Sequence, residues 1–341
     1  MNELDYDLPG DAIAQTPVEP RDAARLLVDR GAGAPVEHRH VRDLPSLLQP
    51  GDLVVVNDTR VLPARLHLRR ASGGAVEVLL LEQRDAAGRT WEALVRPGRK
   101  LRAGEAVTSP DGALAVTIGA RLDDEGLRSV ELATEGDPFA AIDAHGSAPL
   151  PPYITTRLDD PERYQTVYAA RAASAAAPTA GLHLTQAVLD GFAGRGIGLA
   201  RVELVVGLDT FRPVTVDDPA QHRMHTESYR VDPEVLARCE ATRAAGHRVV
   251  AIGTTTVRAL ESAATRGPFG RTDLFIRRPY PFRVVDVLLT NFHLPRTTLL
   301  VMIDAFVGPR WRALYDTART EGYRFLSFGD AMLLERADPP G

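Results

Sequence analysis

Apolar and polar positions fall into two textures along the chain, and each predicts a different layer of structure. Residues 53–56 are an unbroken apolar run of the kind that forms a strand buried on both faces, residues 25–28 are a short apolar strand candidate, and residues 42–48 between them pattern as a short helix. From residue 62 to 149 the pattern becomes short alternating segments, at 64–68, 76–81, 91–95, 113–118 and 129–132, with Gly, Asp and Pro turns between them. That spacing predicts a small antiparallel barrel, with a helical period only at 138–143. Beyond residue 185 the pattern alternates: a helix carrying Ala187, Val188, Leu189 and Phe192, a strand at 197–206, a helix at 233–245 capped by Asp232, a strand at 248–252, a helix at 257–264 and a strand at 284–289. Such alternation predicts a mainly parallel sheet covered by helices. The tail reads as helices at 297–306 and 311–320 and a last strand at 323–327. The expected architecture is α/β, with residues 1–61 and 150–341 forming one discontinuous domain and residues 62–149 inserted as the barrel.

The chain is organised around residues 174–185, where small residues, a Pro-Thr-Ala-Gly turn and one histidine precede a helix. Small side chains at Pro178, Thr179, Ala180 and Gly181 allow backbone to approach a ligand closely, Gly181 permits a conformation other residues avoid, and Thr185 can cap the helix behind them. Three apolar runs end in polar clusters. Asn57, Asp58, Thr59 and Arg60 follow the run at 53–56; Gly253, Thr254 and Thr255 lead into a helix bearing Arg258; Asn291, Phe292 and His293 follow the run at 284–289. Open α/β sheets place ligands at strand ends of this kind, and helix N-termini offer free N–H groups. A cleft shared by these four turns, between barrel and sandwich, is the expected site.

The 44% hydrophobic and 25% charged fractions are those of a globular protein, and no apolar stretch reaches the roughly 18 residues that span a bilayer. A cytoplasmic, membrane-free protein is expected. A net charge of −5 argues against a general nucleic-acid binder but leaves room for a local basic patch. Arg277, Arg278 and Arg283, interleaved with Tyr280 and Phe282, are such a patch. One cysteine, Cys239, and one lysine, Lys100, exclude a disulfide framework and leave little scope for Schiff-base chemistry. No phosphate-binding loop, dinucleotide fingerprint or His-Glu-x-x-His pair occurs, and His222 and His225 lack a third ligand, so no metal is expected. The candidate acids and bases are Asp58, His183, His225, Glu227 and His293, each of which could equally be a buried, hydrogen-bonded structural group.

Taken together, 5–9 with Arg21-Asp22, 52–65 (DLVVVNDTRVLPAR), 149–154, 164–168, 176–183 (AAPTAGLH), 210–213, 225–227, 253–262 (GTTTVRALES), 284–295 (VVDVLLTNFHLP) and 328–332 resemble, in order and nearly end to end, the S-adenosylmethionine:tRNA ribosyltransferase-isomerase family of queuosine biosynthesis. The resemblance implies an αβα-sandwich interrupted by a small β-barrel. It implies a reaction in which the ribosyl part of S-adenosylmethionine, a co-substrate, moves to 7-aminomethyl-7-deazaguanine at the tRNA wobble position, giving epoxyqueuosine with release of adenine and methionine. The catalytic group would come from Asp58, His183, His293 or Glu227, with the base not singled out. Substrate contacts would come from Asn57, Thr59, Arg60, Tyr153, Pro178, Thr179, Ala180 and Gly181. Others are Gly207, Asp209, Thr210, Phe211, His225, Gly253, Thr254, Thr255, Arg258, Asn291 and Phe292. The expected partner is preQ1-containing tRNA and the expected state a monomer.

Two departures from the family's pattern are chemical: Val205 stands where it has His, and Asp209 where it has Gly. These open a second reading, a relative that keeps the S-adenosylmethionine site but serves a small-molecule acceptor or rearranges S-adenosylmethionine itself. A third, a silent tRNA-binding protein, sits poorly with three retained polar strand ends.

Overall fold

Strand β3 (Leu53–Asn57) is buried along its whole length and lies next to the middle strand of a nine-stranded sheet. The protein is described by a computed structural model covering residues 2–98, 100–123, 126–207, 222, 224 and 226–337. Around β3 the chain contributes β1 (Arg25–Asp29), β2 (Glu37–His40) and the two-residue β4 (Arg60–Val61). The next seven strands are β5 (Arg65–Arg70), β6 (Ala75–Gln83), β7 (Thr90–Arg96), β8 (Ala106–Thr108), β9 (Ala115–Arg121), β10 (Leu127–Ala133) and β11 (Gly146–Ser147). After them come β12 (Ala172–Ser174), β13 (Gly198–Leu204), β14 (Glu227–Arg230), β15 (Val249–Ile252), β16 (Phe269–Thr272), β17 (Val287–Asn291) and β18 (Ala331–Glu335). The helices are α1 (Leu44–Leu47), α2 (Pro138–His145), α3 (Gln186–Gly194), α4 (Pro233–Ala244), α5 (Thr254–Arg266), α6 (Thr298–Val307) and α7 (Trp311–Thr320).

The large sheet runs β16-β14-β13-β3-β15-β17-β18-β1-β2. Only its centre, β13-β3-β15-β17, is continuously parallel. The β1–β18 pair is also parallel, but β17–β18, β1–β2, β13–β14 and β14–β16 are antiparallel, so the sheet is mixed rather than mainly parallel. Period-two alternation divides its side chains between two cores. Leu53, Val55, Val249, Ala251 and Leu288 face one side, packed under α4, α5, α6 and α7. Val54, Val56, Val250, Ile252, Val287 and Leu289 face the other, with α1 and α3. Each fully buried Val or Leu contributes about 1.5–3 kcal/mol, which is why unbroken apolar runs settle at the centre. Helix α3 starts where Thr185 Oγ1 accepts the Val188 N–H, and α4 where Asp232 accepts the Glu234 N–H.

Strands β5-β6-β7-β10-β9-β8 form a six-stranded antiparallel ring, closed by the β5–β8 pairing, with β11 added on β5. Inward residues such as Leu66, Val78, Trp91, Val116, Ile118 and Val130 fill it. The barrel meets the sheet through Glu82, which accepts from Ser228 Oγ at 3.0 Å and pairs with Arg271.

Several expected elements shift. Residues 323–327 are not a strand: Leu326 has φ +69°, and Phe325 makes one bridge to Ile13 before the chain turns at Gly329, where a Cβ would lie 2.4 Å from the Arg324 carbonyl oxygen. The last strand is β18, which follows that turn. The run at 284–289 becomes a strand only from Val287, and α5 begins at Thr254 rather than Val257. Strand β2, whose Glu-His-Arg-His side chains are largely exposed, and the edge strand β16, with Phe269 at 74% exposure, carry no apolar pattern to reveal them.

Candidate functional site

At the carboxyl ends of β15 and β17 the chain turns into two helices, and a cavity of about 580 Å³, partly open to solvent, lies between them. The organising turn forms one wall through Thr179 and Ala180, with Ala177 and Pro178 just before its Thr179–His183 helical turn. Gly253, Thr254 and Thr255 form a second, and Thr290, Asn291, Phe292, His293 and Leu294 a third. Tyr153, Val206, Thr297, Leu299, Leu326 and Ser327 complete it. Three of the four expected turns thus meet here. The described walls include no residue of 62–149.

Asn291 links two of the walls. Its Oδ1 accepts from Thr179 Oγ1 at 3.0 Å and its Nδ2 lies 2.8 Å from His183 Nε2, donating to it in the Nδ1–H tautomer. Burial first, then the charges of Arg324, Arg163 and Arg21, push the His183 imidazole down to about 4. His293 is pushed down to about 3 by burial; its Nε2 sits 2.9 Å from Thr290 Oγ1 and its backbone N–H donates to Tyr315 Oη at 3.0 Å. Both rings are neutral at pH 7 and have little affinity for a proton. Tyr153 Oη and Ser327 Oγ lie 2.6 Å apart, and burial raises the Tyr153 phenol. No Lys, Arg, Asp or Glu lines the cavity among the described residues.

Gly181 earns its place through space, not backbone conformation: a Cβ there would lie 2.0 Å from Tyr168 Oη. The glycine that uses its conformational freedom is Gly253, at φ +88° just before α5. Phe292 is fully buried and its ring packs against Tyr315, Tyr323 and Phe325.

The turn after β3 stands apart from the cavity. Asn57 exchanges hydrogen bonds with the Leu204 backbone, at 3.0 and 3.3 Å, and accepts the Thr59 N–H at 3.2 Å, locking β3 to β13. Asp58 is half-buried and its carboxyl is raised, by burial first and then by Glu203. Thr59 is buried, and Arg60 pairs with Glu162 at 2.5 Å. Glu227 and Arg258 form a buried ion pair, with the Gly207 N–H donating to Glu227 Oε1 at 3.1 Å and Arg258 Nε to the Leu274 carbonyl at 3.2 Å. Neither lines the cavity; Gly207 directly follows Val206, which does. Asp209, Thr210, Phe211 and His225 lie outside the described residues. Val205 is absent from the walls and its N–H donates to the Ser228 carbonyl at 2.9 Å.

Ser327 and Leu326 were missed as wall residues because their segment reads as a strand; the Gly329-Asp330 pair ahead of an apolar run was the available signal. Asp330 fixes that loop by accepting the Arg25 and Arg324 N–H groups, each at 2.8 Å. In the arginine patch, Arg278 Nε reaches Asp304 at 2.9 Å, Tyr280 and Phe282 stack edge to face at 4.9 Å, and Arg277 and Arg283 are exposed. Among the described residues no three His, Cys, Asp or Glu side chains are grouped to hold a metal ion, and no helix is long and apolar enough to cross a membrane.

The sequence profile of the queuosine biosynthesis protein family matches residues 1–334. The S-adenosylmethionine:tRNA ribosyltransferase-isomerase of Symbiobacterium thermophilum is 51% identical over 342 residues, covering 98% of this chain and 99% of that protein. The enzyme of the same name from Moorella thermoacetica is 50% identical over 343 residues, with the same coverage. In structure the chain is similar to an S-adenosylmethionine tRNA ribosyltransferase from Thermotoga maritima, with a TM-score of 0.55 and 36% identity over 97% of this chain and 99% of that one.

Proposed function

The chain belongs to the queuosine biosynthesis protein family, and from that membership we propose that it is an S-adenosylmethionine:tRNA ribosyltransferase-isomerase whose substrate site is the cavity at the ends of β15 and β17. It transfers and isomerises the ribosyl part of S-adenosylmethionine onto 7-aminomethyl-7-deazaguanine in the tRNA wobble position. Epoxyqueuosine-tRNA forms, and adenine and methionine leave. The observation that carries the reading is the meeting of Pro178–Ala180, Gly253–Thr255 and Thr290–Leu294, far apart in sequence, around one cavity.

S-adenosylmethionine brings its own leaving group, because the sulfonium withdraws electrons and acidifies the adjoining C5′ hydrogens. The protein's part is to hold and position it. The Asn291 bridge fixes the Thr179 wall and the His183 ring relative to β17, and the apolar and hydroxyl-bearing walls exclude bulk water. With both buried histidines poorly basic, and Asp58 and Glu227 off the described walls, the choice of base stays among those four. The protein works without a metal, as a cytoplasmic monomer; residues 62–149 form the inserted domain, and the arginines near Tyr280 face the tRNA.

The test is to incubate purified protein with S-adenosylmethionine and follow adenine release with and without preQ1-containing tRNA. Release that depends on the tRNA is the expected result. Release without it would favour the small-molecule reading, and Asp209→Gly with Val205→His should then raise tRNA activity at constant S-adenosylmethionine affinity.

A further inference from the structure

We propose that the amino end of α5 is the carboxylate subsite of the cavity, taking the α-carboxylate of the methionine part of S-adenosylmethionine through the Thr255 hydroxyl and the first free N–H groups of the helix. The assignment rests on the S-adenosylmethionine reading above and adds which end of the molecule meets which wall.

Thr255 is 7% exposed, its Oγ1 has no hydrogen-bond partner, and it lines the cavity. A buried hydroxyl left unpaired costs free energy, and because this one belongs to a cavity-lining residue, a ligand atom there would complete its bonding. Its neighbour behaves differently: Thr256 Oγ1 donates to the Ile252 carbonyl at 2.6 Å. The corner is held open by Gly253, whose Cβ, were there one, would lie 3.6 Å from both Thr255 Oγ1 and Ala180 Cβ.

The helix ends around the cavity are not equivalent. At α6, Thr297 Oγ1 accepts the Leu300 N–H and donates to the Leu294 carbonyl, so that end is capped by its own side chain. At α5 the capping position is Gly253, which has no side chain, and the first turn's backbone bonds begin with Thr256 and Val257 to the Gly253 carbonyl. The N–H groups of Thr254 and Thr255 come before them and have no acceptor within the helix. Two N–H groups and a hydroxyl at the positive end of a 13-residue helix suit a carboxylate. No Lys or Arg lines the described cavity, so these dipoles meet the carboxylate there, and the ligand's own α-ammonium and sulfonium supply the compensating charge.

Calorimetry with S-adenosylmethionine and with decarboxylated S-adenosylmethionine, on wild type, Thr255→Val and Thr255→Ser, tests the assignment. Wild type is expected to bind S-adenosylmethionine at least about tenfold more tightly than the decarboxylated compound, the scale of a hydrogen bond to a charged group. Thr255→Val should remove most of that preference by weakening S-adenosylmethionine alone, and Thr255→Ser should restore it. Equal affinity of wild type for the two compounds, or equal weakening of both by Thr255→Val, overturns the subsite while leaving S-adenosylmethionine binding intact. Wild type that binds neither compound overturns the S-adenosylmethionine reading and the subsite with it.

Discussion

Gly181 sits against Tyr168 so closely that a single added carbon would lie 2.0 Å from the phenol oxygen and 3.0 Å from Thr166 Cγ2. The Tyr168 hydroxyl is buried and has no partner, so the contact is steric and holds the organising turn against the core. Gly181→Ala is therefore expected to destabilise the protein by about 1–3 kcal/mol, the cost of overpacking. Tyr168→Phe should be close to neutral alone and recover part of the loss in the double variant. Urea unfolding of the four proteins measures this, and additive effects would show that the two residues are not coupled.

The buried Glu227–Arg258 pair gives a second prediction. Removing one partner strands a charge, so Arg258→Met is expected to cost about 3–5 kcal/mol, while Glu227→Gln with Arg258→Met together should cost much less. Equilibrium denaturation decides it.

Asn291→Ala removes the link between the Thr179 wall and His183. Leaving the buried ring nitrogen unpaired should cost about 1–3 kcal/mol of stability. Turnover should fall more than S-adenosylmethionine affinity, since positioning is lost while most of the cavity wall remains. A kcat unchanged from wild type would rule out a positioning role.

Acid stability follows from the two buried histidines. Their folded values, about 4 for His183 and about 3 for His293, lie below the ordinary 6.5. Below pH 6.5 the unfolded chain binds protons that the folded one refuses, so stability is full above that pH and declines as pH falls toward 4 and then 3. Each histidine contributes a slope approaching about 1.4 kcal/mol per pH unit in that window. Burial raises the carboxyls of Asp58 and Asp304, which acts in the opposite sense at the acid end. Unfolding free energy measured from pH 8 to pH 4 should fall, and His293→Gln should flatten the decline.

Cys239 is buried in α4, and burial pushes its thiol up to about 12. Iodoacetamide at pH 8 should leave the folded protein unlabelled and label it fully in denaturant.

The sequence by itself determined the elements whose signals are local. Unbroken apolar runs at 53–56 and 249–252 became the central strands, because only a position covered on both faces rewards such a run, and alternation between residues 62 and 149 became the barrel strands. Thr185 and Asp232 announced their helices because capping is a one-turn interaction. The three turns of the cavity were legible as small or polar residues ending apolar runs. Tertiary structure alone decided which turns share a space: the Asn57–Arg60 turn also follows an apolar run with polar residues, yet Asn57 spends its amide on Leu204. It decided that Gly181 is needed for room and Gly253 for conformation, since a glycine's reason lies in what surrounds it. It also decided that residues 323–327 form a wall loop while β18 completes the sheet, because pairing partners 40 or more residues away, such as β17 for β18, leave no trace in a local pattern. Strands β2 and β16, exposed at the sheet's edges, were invisible for the same reason: hydrogen bonds to a neighbour define them, and they have no buried face whose side chains would mark the period.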